Sequence, residues 1–219
     1  MPRIFRDTCD MAKKKSSSRR WIDAHEKDEY VLRARREGYR SRACYKLLEL
    51  DERYGLLRPG LAVVDLGAAP GGWSQVARQK VGASGFVVGL DLLDMEPLEG
   101  VEFIQGDFTE DGSLQLLMEK LDGRPVDLVI SDMAPNLSGT RDIDQPRATY
   151  LVELAIDFAQ SVLRPGGMFL AKCFEGEGVD DLRALIRRDF RQLNNLKPKA
   201  SRNKSREIYL LGRGYKGAS

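Results

Sequence analysis

The sequence predicts an α/β protein: a doubly wound, Rossmann-like, mostly parallel sheet of seven strands. Three observations lead there. From Leu61 onward short β-rich runs alternate with helical ones, the pattern of a parallel sheet with crossover helices. The run Val63-Val64-Asp65-Leu66-Gly67-Ala68-Ala69-Pro70-Gly71-Gly72-Trp73 is an apolar strand that ends in a carboxylate, breaks into glycines and enters a helix. Polar residues also close several later strands, at the edge where open parallel sheets bind their ligands.

Taken in order, residues 1–20 contain Lys13-Lys14-Lys15-Ser16-Ser17-Ser18-Arg19-Arg20, too polar to pack, and read as a flexible basic arm. Helical patterning covers 23–38 and 41–54. In the second segment Ala43, Leu47, Leu50 and Tyr54 recur at helical intervals, and Ser41 is the expected N-cap. Strands are expected over 62–66, 86–90, 101–105, 126–131, 168–172, 192–196 and 207–212, and helices over 72–80, 113–121, 146–163 and 179–190. Arg164-Pro165-Gly166-Gly167 stops the long helix and turns into the fifth strand. No internal repeat interrupts this order. The expectation is one domain over 21–219, made of N-terminal helices (21–58) and a catalytic sheet (61–213).

At 219 residues the chain is long enough for one sizeable core, and 42% hydrophobic with 31% charged residues argues for a globular protein. No apolar run approaches the roughly 18 residues of a membrane span, and the polar, basic start lacks the apolar core of a signal peptide. Cys9, Cys44 and Cys173 are odd in number and far apart, so neither a disulfide framework nor a zinc site is expected. These features fit a cytoplasmic enzyme. The net charge of +2 hides an asymmetry: residues 1–46 carry +7, residues 182–219 carry +9, and the section between carries −14. Two basic ends on an acidic body suggest a polyanion gripped by the termini. On this reading helices 21–58 meet the polyanion, and the basic arm with Arg35, Arg36, Arg40, Arg42, Arg202, Lys204 and Arg206 holds its phosphates. Tyr39 or Tyr45 either stacks on a splayed base or packs in the core.

The glycine turn is neither a dinucleotide G-x-G-x-x-G nor a P-loop, since no Gly-Lys-Ser/Thr follows. Its pattern, Asp65-x-Gly67-x-x-Pro70-Gly71-Gly72-Trp73, resembles the cofactor loop of S-adenosylmethionine-dependent RNA methyltransferases. Asp91 closes the second strand and is placed to accept from ribose hydroxyls; Asp107 either accepts from an adenine amino group or caps a helix. Ser131-Asp132-Met133-Ala134-Pro135-Asn136 lacks the Asp/Asn-Pro-Pro-Tyr/Phe of exocyclic-amine methylation, and no cysteine lies near it for attack on a cytosine ring. A carboxylate beside a lysine remains, which suits a hydroxyl acceptor. Lys172 ends a buried strand, where its ammonium must be solvated or paired, and an antiparallel last strand would bring Glu207 to meet it.

With these motifs together the chain resembles the FtsJ/RrmJ (RlmE) family of ribosomal RNA 2′-O-methyltransferases, from about Ser16 to Gly212. The shared motifs are Ser41-Arg42-Ala43-Cys44-Tyr45-Lys46-Leu47, the Asp65–Trp73 loop, Ser131–Asn136, Pro146-Arg147-Ala148, the run from Lys172 to Gly178, and Ser205-Arg206-Glu207. The resemblance implies a catalytic tetrad of Lys46, Asp132, Lys172 and Glu207. It also implies S-adenosylmethionine contacts at Gly67, Gly71, Gly72, Trp73, Asp91, Asp107 and Asp132, with no metal. It further implies a monomer acting on RNA, not DNA or membrane, with the target a uridine ribose in the A loop of 23S rRNA in the large subunit. Lys172 is then either the base for the 2′-hydroxyl or a cation that orients it. Rival readings are a tRNA or mRNA-cap 2′-O-methyltransferase, a non-catalytic RNA-binding module, and a small-molecule O-methyltransferase.

Overall fold

A computed structural model describes residues 28–136, 138–202 and 205–217. The expected basic arm, residues 23–27 and Lys204 lie outside the described residues; the helix expected over 23–38 starts at Glu29, capped by Asp28, whose Oδ1 accepts from Tyr30 N. The order is α1 (Glu29–Glu37), α2 (Cys44–Tyr54), β1 (Ala62–Leu66), α3 (Gly72–Val81), β2 (Phe86–Asp91), β3 (Glu102–Gln105) and α4 (Asp111–Leu121). It continues with β4 (Val126–Ser131), α5 (Arg141–Val162), β5 (Leu163–Phe174), α6 (Val179–Asp189), β6 (Phe190–Leu196) and β7 (Glu207–Tyr215). The seven strands form one sheet in the order β3-β2-β1-β4-β5-β7-β6. All neighbouring pairs are parallel except β7, which runs antiparallel to both β5 and β6. The sheet class read from the sequence therefore holds.

Period-2 alternation divides the strands between two cores. Val63, Val87, Leu128, Ile130 and Leu170 pack with Leu47 and Leu50 of α2 and Val76 and Ala77 of α3. Val64, Leu66, Val88, Leu90, Val129 and Phe169 pack on the other face with Leu117 of α4, Ile156 of α5 and Ile186 of α6. Burial on both faces explains why β1 has no exposed position. Helices α1 and α2 share the first core: Ala34 and Leu47 belong to the cluster that contains β1 and β4 residues.

Further helix starts differ from expectation. Ser41 does not cap α2: Ala43 occupies the N-cap position without a side-chain bond, and residues 41–46 form tight turns in which Cys44 N donates to Ser41 O. The Ser41 hydroxyl is instead buried without a partner among the described residues. It packs where a side chain on Gly72 would stand, since a Cβ there would lie 2.2 Å from Ser41 Oγ. Helix α5 begins at Arg141 rather than at Pro146. The Asp144 carboxylate accepts from Ser138 N, Ser138 Oγ and Gly139 N, and this closed turn starts the helix ahead of the proline. The stop signal after α5 is real, but β5 already pairs at Leu163↔Val126; the pairing resumes at Met168↔Leu128, so residues 164–167 loop out.

Candidate active site

The carboxyl ends of β1, β2 and β4 open into a cleft of about 470 Å³ lined by Gly67, Asp91, Asp107, Phe108, Asp132 and Tyr150 among others. Each end is pinned by backbone bonds. Gly67 N and Ala68 N both donate to Leu90 O, and Asp132 N donates to Leu66 O. Gly67 has φ +79° and a Cβ there would lie 2.8 Å from Met133 Cγ, so only glycine lets the β4 end pass this close. Asp91 holds the turn: its Oδ2 accepts from Ala69 N at 2.9 Å and its Oδ1 from Leu93 N at 2.8 Å. Asp107 does not cap α4, whose N-cap residue is Glu110. Its Oδ1 accepts from Thr109 N and Thr109 Oγ1, bonds that hold its carboxyl below the usual range and keep it anionic.

The remaining expected cofactor contacts stand behind this cleft. Gly71 is covered by Arg40, whose Nη1 and Nη2 donate to Glu96 O and Pro97 O. Gly72 faces Ser41. Trp73 is buried, donates from Nε1 to Ala43 O at 2.8 Å, and packs on the Tyr209 ring at 5.7 Å.

Under the floor of the turn lies Asp65, fully buried. Burial, reinforced by the nearby Asp132 and Asp91 carboxylates, pushes it up to about 7 against the opposing bond from Ser74 Oγ. Its Oδ1 has no partner among the described residues.

Beside the cleft four charged side chains from distant parts of the chain converge. Lys172 Nζ lies 3.1 Å from Asp132 Oδ1 and donates to Asp132 O at 2.5 Å. Lys46 Nζ lies 2.8 Å from Glu207 Oε1, which also accepts from Ser201 Oγ. The side chains are 8%, 18%, 12% and 13% exposed for Lys172, Asp132, Lys46 and Glu207, so none is left as an unpaired buried charge. The expected Lys172–Glu207 contact is replaced by these two pairs, because the register sets Lys172 opposite Tyr209 and Phe174 opposite Glu207.

Tyr209 joins the pairs. Lys46 Nζ donates to its hydroxyl at 3.1 Å, and the hydroxyl donates to Asp132 Oδ1 at 2.8 Å. Burial and the neighbouring carboxylates raise the phenol well above its ordinary range, so it stays a neutral donor. The sequence reading passed over it. The available signal was its place two residues after Glu207 in a strand, hence on the same face.

Several residues expected at the RNA surface have internal partners. Arg42 pairs with Asp28, donates to Ala200 O and covers the Tyr30 ring. Tyr45 is buried and donates to Glu37 Oε2, which places it in the core rather than under a base. Arg202 and Arg206 remain exposed beside the Lys46–Glu207 pair and at the end of β5. Among the described residues no His, Cys, Asp or Glu group is arranged to hold a metal ion, and no helix is long and apolar enough to cross a membrane.

A family model described as FtsJ-like methyltransferase matches residues 39–215. A ribosomal RNA large subunit methyltransferase E of Alkalilimnicola ehrlichii is 60% identical over 203 residues, which is 93% of this chain and 97% of that one. The protein of the same name from Pseudomonas aeruginosa is 55% identical over 207 residues, covering 94% of this chain and all of that one. Among solved structures, a ribosomal RNA methyltransferase from Plasmodium falciparum superposes with a TM-score of 0.73 at 31% identity, over 82% of this chain and all of that one.

Proposed function

The chain belongs to the FtsJ-like methyltransferase family, and from that premise we propose that it methylates the 2′-oxygen of a ribose in large-subunit ribosomal RNA, using S-adenosylmethionine. The convergence of Lys46, Asp132, Lys172 and Glu207 through Tyr209, at the lip of a nucleoside-sized cleft, is the observation that carries this reading. Asp91 and Asp107 supply carboxylates for a ribose and an amino-bearing base, and the cleft volume falls in the range of small-molecule sites. The cofactor supplies a methyl group already activated on a sulfonium.

The protein's own task is to orient the acceptor hydroxyl and stabilise charge on its oxygen. Lys172 spends two of its donors on Asp132 and has a third to give to the 2′-oxygen. That donor orients the hydroxyl and stabilises the charge that builds on its oxygen, in a site whose dipoles are fixed before reaction. As the O–C bond forms the hydroxyl proton is released to solvent, leaving the methyl donor as a neutral thioether. Lys46, held by Glu207 and Tyr209, adds positive potential without moving. Alignment contributes several kcal/mol without any proton transfer.

The relatives carry the name of a large-subunit rRNA methyltransferase, which favours large-subunit rRNA over tRNA or an mRNA cap; within it we take the target to be a uridine in the A loop of 23S rRNA. The N-terminal segment 1–58 and exposed Arg202 and Arg206 then meet the RNA around that loop. A monomer working in the cytoplasm completes the proposal. Its test is incubation with methyl-labelled cofactor and large subunits from a strain lacking the enzyme, followed by mapping. Label at one uridine ribose is expected; label on a base, or transfer to tRNA instead, would overturn the assignment.

A further inference from the structure

At the opposite rim of the sheet, Arg58, Arg164, Arg191 and Arg213 line an open cleft of about 280 Å³. The topology gathers them from four places: Arg58 precedes β1, Arg164 lies in the looped start of β5, Arg191 opens β6, and Arg213 sits near the end of β7. In the register, Arg213 lies opposite Met168 on one side and Gln192 on the other. Asp127 is the one carboxylate in the lining, and it is already engaged. Its Oδ2 accepts from Ala62 N at 2.7 Å and its Oδ1 from Arg164 Nε at 2.5 Å. Among the described residues Arg58, Arg191 and Arg213 have no carboxylate partner, and Arg213 is partly buried. A guanidinium drawn partly out of water without a counter-charge is unfavourable on its own, and a ligand anion relieves that cost.

Charge protection of the sheet edge accounts for part of this, since β6 is the edge strand and Arg191 guards it. It does not account for Arg58, Arg164 or Arg213, which lie off that strand. Three forked guanidiniums without a carboxylate partner among the described residues, beside the Arg164–Asp127 pair in a small open cleft, match the oxygens of a phosphodiester.

We propose that this cleft is a second RNA anchor, which grips the phosphate backbone of a stem next to the loop that is methylated; it rests on the reading of the chain as an RNA methyltransferase. Strand β7 connects the two sites. It begins at Glu207 in the tetrad and reaches Arg213 six residues later, about 20 Å at roughly 3.3 Å per residue. A stem lying along the β6–β7 edge therefore touches both rims, and no base need be read at the far one.

The test compares two RNAs on the full chain: a large-subunit fragment with the target loop and its flanking stems, and the loop alone. In an Arg58→Ala/Arg191→Ala/Arg213→Ala variant, the affinity ratio of stemmed to loop-only RNA is expected to fall about tenfold at 0.1 M salt. The slope of log affinity against log salt for the stemmed RNA should shrink by about 2–3. Arg213→Lys, which keeps the charge, should retain the slope. Should the triple variant fail to fold, exposed Arg191→Ala and Arg58→Ala each carry the same test with a slope change of about 1. An unchanged ratio and slope in folded variants would overturn the anchor, as would equal loss on both RNAs. These results are separable from the function itself: a wild-type protein that methylates no RNA overturns the proposed function, whereas one that methylates normally while the variants bind as it does overturns only the anchor.

Discussion

The two rims of the sheet carry charge in opposite ways. At the carboxyl ends of the strands, Lys46 with Glu207 and Lys172 with Asp132 are largely buried, and each cation has its own carboxylate. At the other rim three guanidiniums around Asp127 have no carboxylate partner among the described residues. The difference follows from burial. Charges withdrawn from water must be paired in place, so the rim at the carboxyl ends comes with its hydrogen bonds already made. At the open rim Arg58 and Arg191 stay hydrated and only Arg213 is partly withdrawn, so these charges can wait for a partner from outside. The first rim acts by geometry and the second by counter-charge.

The strongest way to break that contrast is Lys172→Ala. Methyl transfer is expected to fall by about 10³ or more while the affinity for the cofactor stays within a few-fold, by single-turnover kinetics and calorimetry. Near-normal turnover would remove Lys172 from the chemistry. Tyr209→Phe is the next test. It keeps the ring against Trp73 but deletes the bridge between the two ion pairs. Loss of a hydrogen bond to charged groups, about 1.5–3 kcal/mol, lowers kcat about 10- to 150-fold with KM for RNA little changed.

Asp65 gives a third outcome, in stability rather than rate. Its carboxyl titrates at about 7 in the fold and at 3.8 when unperturbed. The folded form thus binds the proton more tightly. The stability it contributes is complete below pH about 4 and is lost as the pH rises through about 7. The Tm of Asp65→Asn relative to wild type should accordingly climb between pH about 4 and 7 and level off above it; a constant difference across that window would contradict a buried, neutral Asp65. The smallest expected effect is at Ser41→Ala, which removes a buried hydroxyl that has no partner among the described residues and keeps the Cβ beside Gly72. A change within about 0.5 kcal/mol in chemical denaturation is expected.

The sheet was legible because strands such as Val126–Ser131 are runs of β-branched and apolar residues buried on both faces, and nothing else that short reads the same way. The glycine turn was legible because Gly67 must let Met133 pass. Boundaries were less so where side chains close a turn from outside the periodic pattern. Asp144 starts α5 five residues before the proline that resembled its first turn. The charged residues of the tetrad could be named in advance, but their partners could not. Pairing depends on strand register, and the register puts Tyr209, not Glu207, across from Lys172. Likewise, Arg40 and Arg42 look like any other exposed arginines in sequence, and only the fold turns them toward Glu96 O, Pro97 O and Asp28.

Whether the two buried pairs work as one device is best decided by a double-mutant cycle on the methyl-transfer rate with Lys46→Ala and Tyr209→Phe. If Tyr209 transmits the field and position of Lys46 to Asp132 and Lys172, the double variant should be about as slow as the slower single variant. Effects that multiply, so that the double loss equals the product of the two single losses, would show two independent contributions and contradict a coupled tetrad.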